Sequence, residues 1–191
     1  MRAFIGIGLS DDARAALARL QGKLGESGAD VKWAAPALLH VTLKFLDEIT
    51  EAQRQSVETL LRRLAEGEQV FTLGLAGVGA FPSVRAPRVV WVGLSEGRDA
   101  LARIAATIET GGRAIGVRRE ERPFSPHLTL GRVRSPRSLA ALTQRLGAIE
   151  WPPPPPWRVA SLRLYHSVLG SGGPTYTVLG EFPLRSLRRG A

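Results

Sequence analysis

The chain has no cysteine, and among its 191 residues there are only three lysines and three histidines. Without cysteine it can form neither disulfides nor thiolate metal sites. No apolar run reaches the roughly 18 residues that a membrane-spanning helix needs. The opening residues are also too short, before the acidic pair Asp11 and Asp12, for a signal peptide. We therefore expect a cytoplasmic protein that does not bind a membrane.

Arginine supplies most of the charge. The chain has 26 basic and 17 acidic residues, which gives a formal net charge of +9. Such a balance favours polyanionic partners such as nucleic acid, although an arginine-rich surface that only contacts solvent explains it equally well. The length allows one domain or two small lobes around a real core.

Hydrophobic periodicity predicts helices and strands in mixed order. Strands are predicted at 2–9, 31–33, 39–46, 70–81, 88–94, 126–131, 158–169 and 175–184. Helices are predicted from Ser10 to Leu24, from Thr50 to Glu66, over 97–110, and from Ser135 to about Leu146. Gly111 and Gly112 should end the third helix, 82–87 should be a hairpin loop, and WPPPPPW (151–157) should be an internal crossover. This order predicts an α+β fold with antiparallel pairs rather than a doubly wound parallel sheet.

Two of the three histidines begin the same pattern, histidine–any residue–threonine–leucine. It occurs in LLHVTLKFL (38–46) and again in FSPHLTLGRV (124–133), each time before a helix. From the chain's own threonine and leucine frequencies, the odds of this repeat are on the order of one in ten thousand. Because side chains alternate along a strand, His40 should share a face with Thr42, and His127 with Thr129. The repeat predicts two similar halves that face each other across a polar cleft.

Two imidazoles and two hydroxyls suit the cleavage of a phosphodiester. One neutral imidazole can take a proton from water while the other, protonated, gives a proton to the leaving oxygen. The threonine hydroxyls can donate hydrogen bonds to the non-bridging oxygens, and no metal is required. A zinc site remains an alternative, but His166 is the only spare histidine. No G-x-S-x-G, Walker or dinucleotide-binding motif occurs.

With both motifs placed, the chain resembles the two-histidine phosphoesterase superfamily, and within it the bacterial LigT-like RNA 2′,3′-cyclic phosphodiesterases, or 2′-5′ RNA ligases. The resemblance extends from MRAFIGIGL through FPSVRAPRVVWVGL to YTVLGEFPL. It implies one two-lobed domain over 1–191. Each of its two pseudo-symmetric lobes would carry an antiparallel sheet with helices outside, and the catalytic cleft would lie between the sheets.

The resemblance also implies roles for single residues. His40 and His127 match the family's catalytic pair, and Thr42 and Thr129 match its phosphate-binding hydroxyls. As a hypothesis, His127 is the general base on water and His40 the general acid on O3′.

Three further matches lie outside the motifs. Five residues after each histidine stand Phe45, matching an aromatic near the base, and Arg132, matching a phosphate-binding arginine. Simple alternation would point both into the core, so each needs a twist or a bulge in its strand. Tyr176 matches an aromatic that sandwiches the base with Phe45, although a tyrosine on a sheet surface would look the same in the sequence.

The predicted activity is hydrolysis of RNA or nucleoside 2′,3′-cyclic phosphates to 2′-phosphomonoesters. It uses no cofactor and no metal, and weak 2′-5′ ligation is its reverse reaction. Another cyclic phosphate as substrate, or a non-catalytic module that binds RNA ends or nucleotides, remains an alternative. The expected partners are RNA with 2′,3′-cyclic phosphate ends or cyclic nucleotides, and a monomer is assumed.

Overall fold

A computed structural model describes residues 1–171 and 173–186. The described residues form four α-helices: α1 (Asp11–Gly25), α2 (Glu51–Gly67), α3 (Arg98–Ala114) and α4 (Leu139–Ala148). They also form nine strands: β1 (Arg2–Ile7), β2 (Val31–Trp33), β3 (Val41–Glu48), β4 (Phe71–Ser83), β5 (Ala86–Glu96), β6 (Leu128–Val133), β7 (Trp157–Val159), β8 (Ser161–Gly170) and β9 (Gly173–Pro183). A short 3-10 turn, Pro36–Leu38, precedes β3. None of the helices described is long and apolar enough to cross a membrane.

The strands form two antiparallel sheets, which confirms the predicted α+β fold with two lobes. One sheet has four strands in the order β3-β1-β8-β9, and the other has five in the order β2-β6-β5-β4-β7. Helices α2 and α3 pack on the four-stranded sheet, while α1 and α4 lie with the five-stranded sheet. Each lobe is therefore one sheet and two helices. Strands β3 and β6 approach each other between the lobes, with Cα atoms within 8 Å.

The lobes do not correspond to the two halves of the sequence. Strand β8, near the end of the chain, pairs with β1 at its start, and β9 pairs with β8. Helix α1 follows β1 but packs in the other lobe, and α3 follows β5 but packs back on β3. One contiguous cluster of buried residues extends through both lobes. Because the chain crosses repeatedly between the lobes, each lobe contains segments that are far apart in the sequence.

Helix starts follow the predicted caps in two cases. The Ser10 hydroxyl accepts from the amide of Ala13, and Thr50 and Gln53 form a reciprocal capping box. The predicted start of α4 is wrong. Ser138 adopts a left-handed conformation (φ 53°), which a right-handed helix cannot include, so the helix begins at Leu139 instead of near Ser135.

The prediction that Gly111 and Gly112 end α3 is also wrong, since the helix continues to Ala114. A Cβ atom on Gly111 would lie 2.5 Å from Leu60 Cδ1 of α2. The glycine therefore permits close approach of the two helices and does not act as a stop signal.

One predicted hairpin loop and one predicted strand differ from the structure. The hairpin between β4 and β5 is present, but its turn is Val84–Arg85 and not the whole of 82–87, since Ser83 pairs with Ala86 at the hairpin end. The predicted strand 158–169 divides at Ala160. Trp157–Val159 pairs with β4, while Ser161 onward pairs with β1 and β9, so the chain changes sheets at this residue.

Candidate active site

Both motif histidines lie one residue before their strands, whereas the sequence predicted them inside the strands. His40 precedes β3 and His127 precedes β6. His40 Nδ1 lies 2.7 Å from the carbonyl oxygen of Leu38, and His127 Nδ1 lies 2.7 Å from that of Ser125. A carbonyl only accepts hydrogen bonds, so Nδ1 of each ring carries the hydrogen and donates it. Nε2 is then the atom of each ring that can gain or lose a proton.

His40 is packed tightly against the four-stranded sheet. Its ring stacks on Phe4 at 4.5 Å and meets the edge of Tyr176 at 5.4 Å between centroids. A Cβ atom on Gly6 would lie 2.9 Å from the Val41 carbonyl oxygen and 3.4 Å from His40 Cδ2, so this neighbour must be small. Burial lowers the pKa of His40, although the hydrogen bond to Leu38 opposes the shift. The free protein therefore favours neutral His40.

The surroundings of His127 belong to the five-stranded sheet. The Phe81 ring meets the imidazole edge-on, with centroids 5.0 Å apart, and contacts Trp91 at 5.2 Å. A Cβ atom on Gly79 would lie 2.4 Å from the Trp91 ring, so the glycine lets this indole lie flat across β4. Each histidine is thus supported by aromatic side chains of its own lobe.

Each motif strand contains a bulge directly after the threonine. Thr42 pairs with Gly6, but the next pair is Lys44 with Ile5, so Leu43 is the extra residue. In β6, Thr129 pairs with Trp91 and Gly131 with Val90, so Leu130 is extra. Phe45 and Arg132, two residues after the extra leucines, are exposed instead of pointing into the core. The predicted bulges are confirmed.

Polar side chains from helices hold both bulged segments. Lys44 Nζ lies 2.5 Å from a carboxylate oxygen of Glu109 in α3 and donates to the Arg118 carbonyl at 2.9 Å. Gln21 of α1 donates to the Leu130 carbonyl oxygen at 2.9 Å and to that of Ala34 at 2.8 Å. Helices α1 and α3, which both cross to the opposite lobe, thus each contact the strand that follows a motif histidine.

The two threonines are half-buried, each beside its histidine. Thr42 shares a sheet face with its pairing partner Gly6, and Thr129 shares a face with Trp91. Because Gly6 has no side chain, nothing from β1 covers the Thr42 hydroxyl at this pair. Both motifs therefore place a hydroxyl two residues after an anchored imidazole.

Basic side chains from both lobes surround Tyr176. Burial raises the pKa of its hydroxyl, while the positive charges of Arg2 and Arg132 oppose the shift. Arg132 and Tyr176 belong to different sheets, so this coupling crosses the cleft. A Cβ atom on Gly173 would lie 3.8 Å from Lys32 Nζ, which places a second cation of the five-stranded sheet beside the β8–β9 hairpin.

Phe45 and Tyr176 both border Phe4 and do not form a ring pair with each other in the part of the chain described. Phe4 lies 6.1 Å from Phe45 and 4.9 Å from Tyr176, and it stacks on Tyr165 at 4.8 Å. Sequence reasoning missed Phe4, Tyr165, Phe81 and Trp91 as site residues. In sequence they look like ordinary strand residues, and only their position beside the motifs distinguishes them.

The third histidine does not join the pair. His166 pairs with Ala3, next to the pair formed by Phe4 and Tyr165, so its side chain lies on the opposite face of the sheet. Among residues 1–171 and 173–186, no group of three or more histidine, aspartate or glutamate side chains could hold a metal ion.

Comparisons with known proteins find one family over most of the chain. The model of the 2′-5′ RNA ligase superfamily matches residues 9–170. An RNA 2′,3′-cyclic phosphodiesterase of Methanothermobacter thermautotrophicus is 33% identical over 96% of this chain and 99% of that protein. One of Thermus thermophilus is 35% identical over 97% of this chain and 91% of that protein.

Solved structures agree with this match. A crystal structure of a Thermus thermophilus protein superposes with a TM-score of 0.81 at 32% identity, covering 97% of this chain and 99% of the other. The apo crystal structure of Escherichia coli LigT has a TM-score of 0.76 at 28% identity, covering 96% of both chains. LigT has also been crystallised with 3′-AMP, which gives the same TM-score and identity over 96% of this chain and 97% of that one.

Proposed function

Since the chain belongs to the 2′-5′ RNA ligase superfamily, we propose that His40 and His127 hydrolyse RNA 2′,3′-cyclic phosphates to 2′-phosphomonoesters. Relatives at 30% identity or more over nearly the whole chain carry the name RNA 2′,3′-cyclic phosphodiesterase. The observation that carries the proposal is the matched anchoring of the two rings. Both Nδ1 atoms are fixed by a carbonyl two residues upstream, which leaves two Nε2 atoms for proton transfer.

The reaction needs two proton transfers around one phosphorus. Water attacks phosphorus while His127 Nε2 takes its proton, and the bond from phosphorus to O3′ breaks while His40 Nε2 gives a proton to that oxygen. The products are a 2′-phosphate and a free 3′-hydroxyl. A positioned acid or base contributes about 10²- to 10⁴-fold to such a step. With a 5′-hydroxyl in place of water, the same two transfers in the same direction make a 2′-5′ linkage.

The lowered pKa of His40 is compatible with a general acid. Burial favours the neutral ring in the free protein. A bound cyclic phosphate carries a negative charge that favours the imidazolium form. Once protonated, a histidine with a lowered pKa gives up its proton more readily than an ordinary one. The proposal takes His40 as the acid and His127 as the base, and we expect a bell-shaped dependence of kcat/KM on pH.

Phosphate and base are assigned to the neighbours of the histidines. Thr42 and Thr129 donate to the non-bridging oxygens, where negative charge increases in the transition state. Arg132 supplies a positive charge for the same oxygens. The base lies against the aromatic face on which Phe45 and Tyr176 border Phe4.

The first test is turnover of a nucleoside 2′,3′-cyclic phosphate in excess EDTA, with the 2′- and 3′-phosphate products separated. We expect the 2′-phosphate, and a loss of at least about 10²-fold in kcat for His40→Ala and for His127→Ala. His166→Ala is the matched control, because this histidine lies on the other face of the sheet and its removal should leave turnover unchanged.

Other results of this test would change the assignment. A 3′-phosphate product would keep the histidine pair but reverse which oxygen leaves. Turnover of His40→Ala within a few fold of the unsubstituted protein would refute its role. Tight binding without turnover would favour the non-catalytic nucleotide-binding module instead.

We propose that the active unit is a single chain acting as a monomer in the cytoplasm. Support comes from the site itself, because one chain provides both histidines and both threonines, and from the continuous core through both lobes. Size-exclusion chromatography with light scattering tests the monomer. Two copies per particle at working concentration would refute it.

A further inference from the structure

A cavity opens beside His127, on the side of the five-stranded sheet. Its volume is about 290 Å³, and its walls include Val78, Phe81, Trp91, Arg98 and Ser125. No residue of the four-stranded sheet lines it. The volume lies just below the usual range for small-molecule sites. The cavity is therefore separate from the aromatic surface around Phe4, where the donor base is placed, yet it shares His127 with the reaction centre.

Small residues and a bulge create this cavity. Gly77 is an extra residue in β4, since Ala76 pairs with Gly93 and Val78 with Val92, and it has a left-handed backbone (φ 70°). Gly93 also lines the cavity, and a Cβ there would lie 2.9 Å from the Ala76 carbonyl oxygen. Bulges of this kind occur often beside active sites. The bulge and the two glycines thus build part of the recess into the backbone itself.

The walls combine aromatic surface with one unpaired cation. Phe81 and Trp91 contact each other, and Phe81 also contacts His127. Arg98 is exposed and forms no ion pair among the residues described. Aromatic rings stack on nucleobases, and a guanidinium binds phosphate oxygens. This combination matches a nucleotide better than a plain apolar ligand.

We propose that this cavity binds the nucleoside that brings a 5′-hydroxyl to the cyclic phosphate, so that the protein has a built acceptor site for 2′-5′ ligation. The proposal rests on the proposed function, with His127 as the base. The 5′-hydroxyl attacks phosphorus and gives its proton to His127 Nε2. The bond from phosphorus to O3′ breaks, and O3′ takes the proton of His40 Nε2. One phosphorus–oxygen bond forms and one breaks, so no further reactant is needed.

Arg98 predicts which acceptors the cavity prefers. The nucleotide at a 5′-hydroxyl end of RNA carries a phosphate on its 3′ oxygen. We assign Arg98 to that phosphate. An acceptor with a 3′-phosphate should then bind more tightly than the bare nucleoside. One charge-assisted hydrogen bond corresponds to about tenfold or more in affinity.

The experiment measures how a fixed cyclic phosphate donor divides between water and acceptor. The donor is a uridine 2′,3′-cyclic phosphate, and the acceptors are adenosine and adenosine 3′-monophosphate over a wide concentration range. We expect the ligated fraction to saturate, at a lower concentration for the 3′-phosphate. Arg98→Gln should raise the half-saturating concentration of that acceptor about tenfold, remove its advantage over adenosine, and leave hydrolysis within twofold.

Two further variants complete the design. Val78→Phe fills the cavity from its wall and should suppress ligation to both acceptors. Arg62→Gln on the outer helix α2 removes an exposed arginine of the other lobe and should change nothing. A ligated fraction that is zero, or that rises linearly without saturating, would overturn the acceptor site, as would Arg98→Gln raising the KM of the donor in hydrolysis. Absence of hydrolysis in the unsubstituted protein would instead refute the proposed function.

Discussion

The ion pair between buried Lys44 and half-buried Glu109 should contribute asymmetrically to stability. Lys44 directly follows the bulged Leu43, and its side chain is only 3% exposed, while that of Glu109 is 27% exposed. The carboxylate also accepts from the amide of Glu120, at 3.3 Å. The pair therefore ties the strand after His40 to the loop that leads from α3 toward the second motif.

The two single substitutions should differ in cost. Glu109→Gln leaves a buried ammonium group without its counter-charge, and breaking a buried pair in this way costs about 3–5 kcal/mol of the free energy of unfolding. Lys44→Met removes the buried charge and keeps an apolar stem of similar volume. The Arg118 carbonyl loses its donor, while the remaining carboxylate is partly in water and keeps the amide of Glu120, so we expect a cost of about 1–2 kcal/mol.

Urea unfolding at pH 7, followed by circular dichroism, measures both costs and that of the double variant. The double variant should be no less stable than Glu109→Gln alone, because the isolated charge is gone. If Lys44→Met is destabilised as much as Glu109→Gln, or more, the argument from the buried cation is wrong. In that case packing of the lysine stem, and not its charge, would be what the bulge requires.

Three other predictions concern the site. His40 has a lowered pKa in the folded chain, so the unfolded chain takes up the proton first as the pH falls. The free energy of unfolding should therefore fall as the pH drops below about 6.5. His40→Gln should flatten this dependence in urea titrations between about pH 7.5 and 5.5. Gly6→Ala places a methyl 2.9 Å from the Val41 carbonyl oxygen and should lower kcat in the cyclic phosphate assay by displacing His40, whereas an unchanged kcat would show that the contact is unimportant. Gln21→Leu removes two hydrogen bonds to carbonyl oxygens, one of them fully buried, and should cost about 1–3 kcal/mol in urea unfolding, while a neutral result would mean that the bulge in β6 holds without it.

The sequence predicted the elements that depend on local chemistry. Ser10 and Thr50 cap their helices because each hydroxyl accepts a hydrogen bond from the amide three residues later. The alternation of side chains also predicted correctly that Val41 and Leu128 are buried. The errors occur where contact with a residue far away in the sequence determines the local structure. Gly111 looks like a stop signal until Leu60 of another helix is known to need its space.

The same limit applies to the site. The paired motifs identify two histidines and two threonines because their spacing repeats within the sequence. Phe4 and Trp91 have no such repeat, and an aromatic residue in an apolar strand has the same pattern whether it faces a core or a cleft. Only the pairing of β1 with β3, and of β5 with β6, places them beside the motifs.

The two motifs are nearly identical in sequence, so any difference in role must come from their surroundings. Each ring is anchored by a hydrogen bond from Nδ1 to the carbonyl oxygen two residues before it. Each threonine directly precedes a one-residue bulge in its own strand. His40, however, is enclosed by Phe4 and Tyr176 and has a lowered pKa, whereas His127 borders an open cavity with room for a nucleophile and its carrier. An enclosed ring suits donation to an oxygen of the bound donor. A ring beside an open cavity suits deprotonation of a hydroxyl that arrives separately, whether it belongs to water or to a nucleoside.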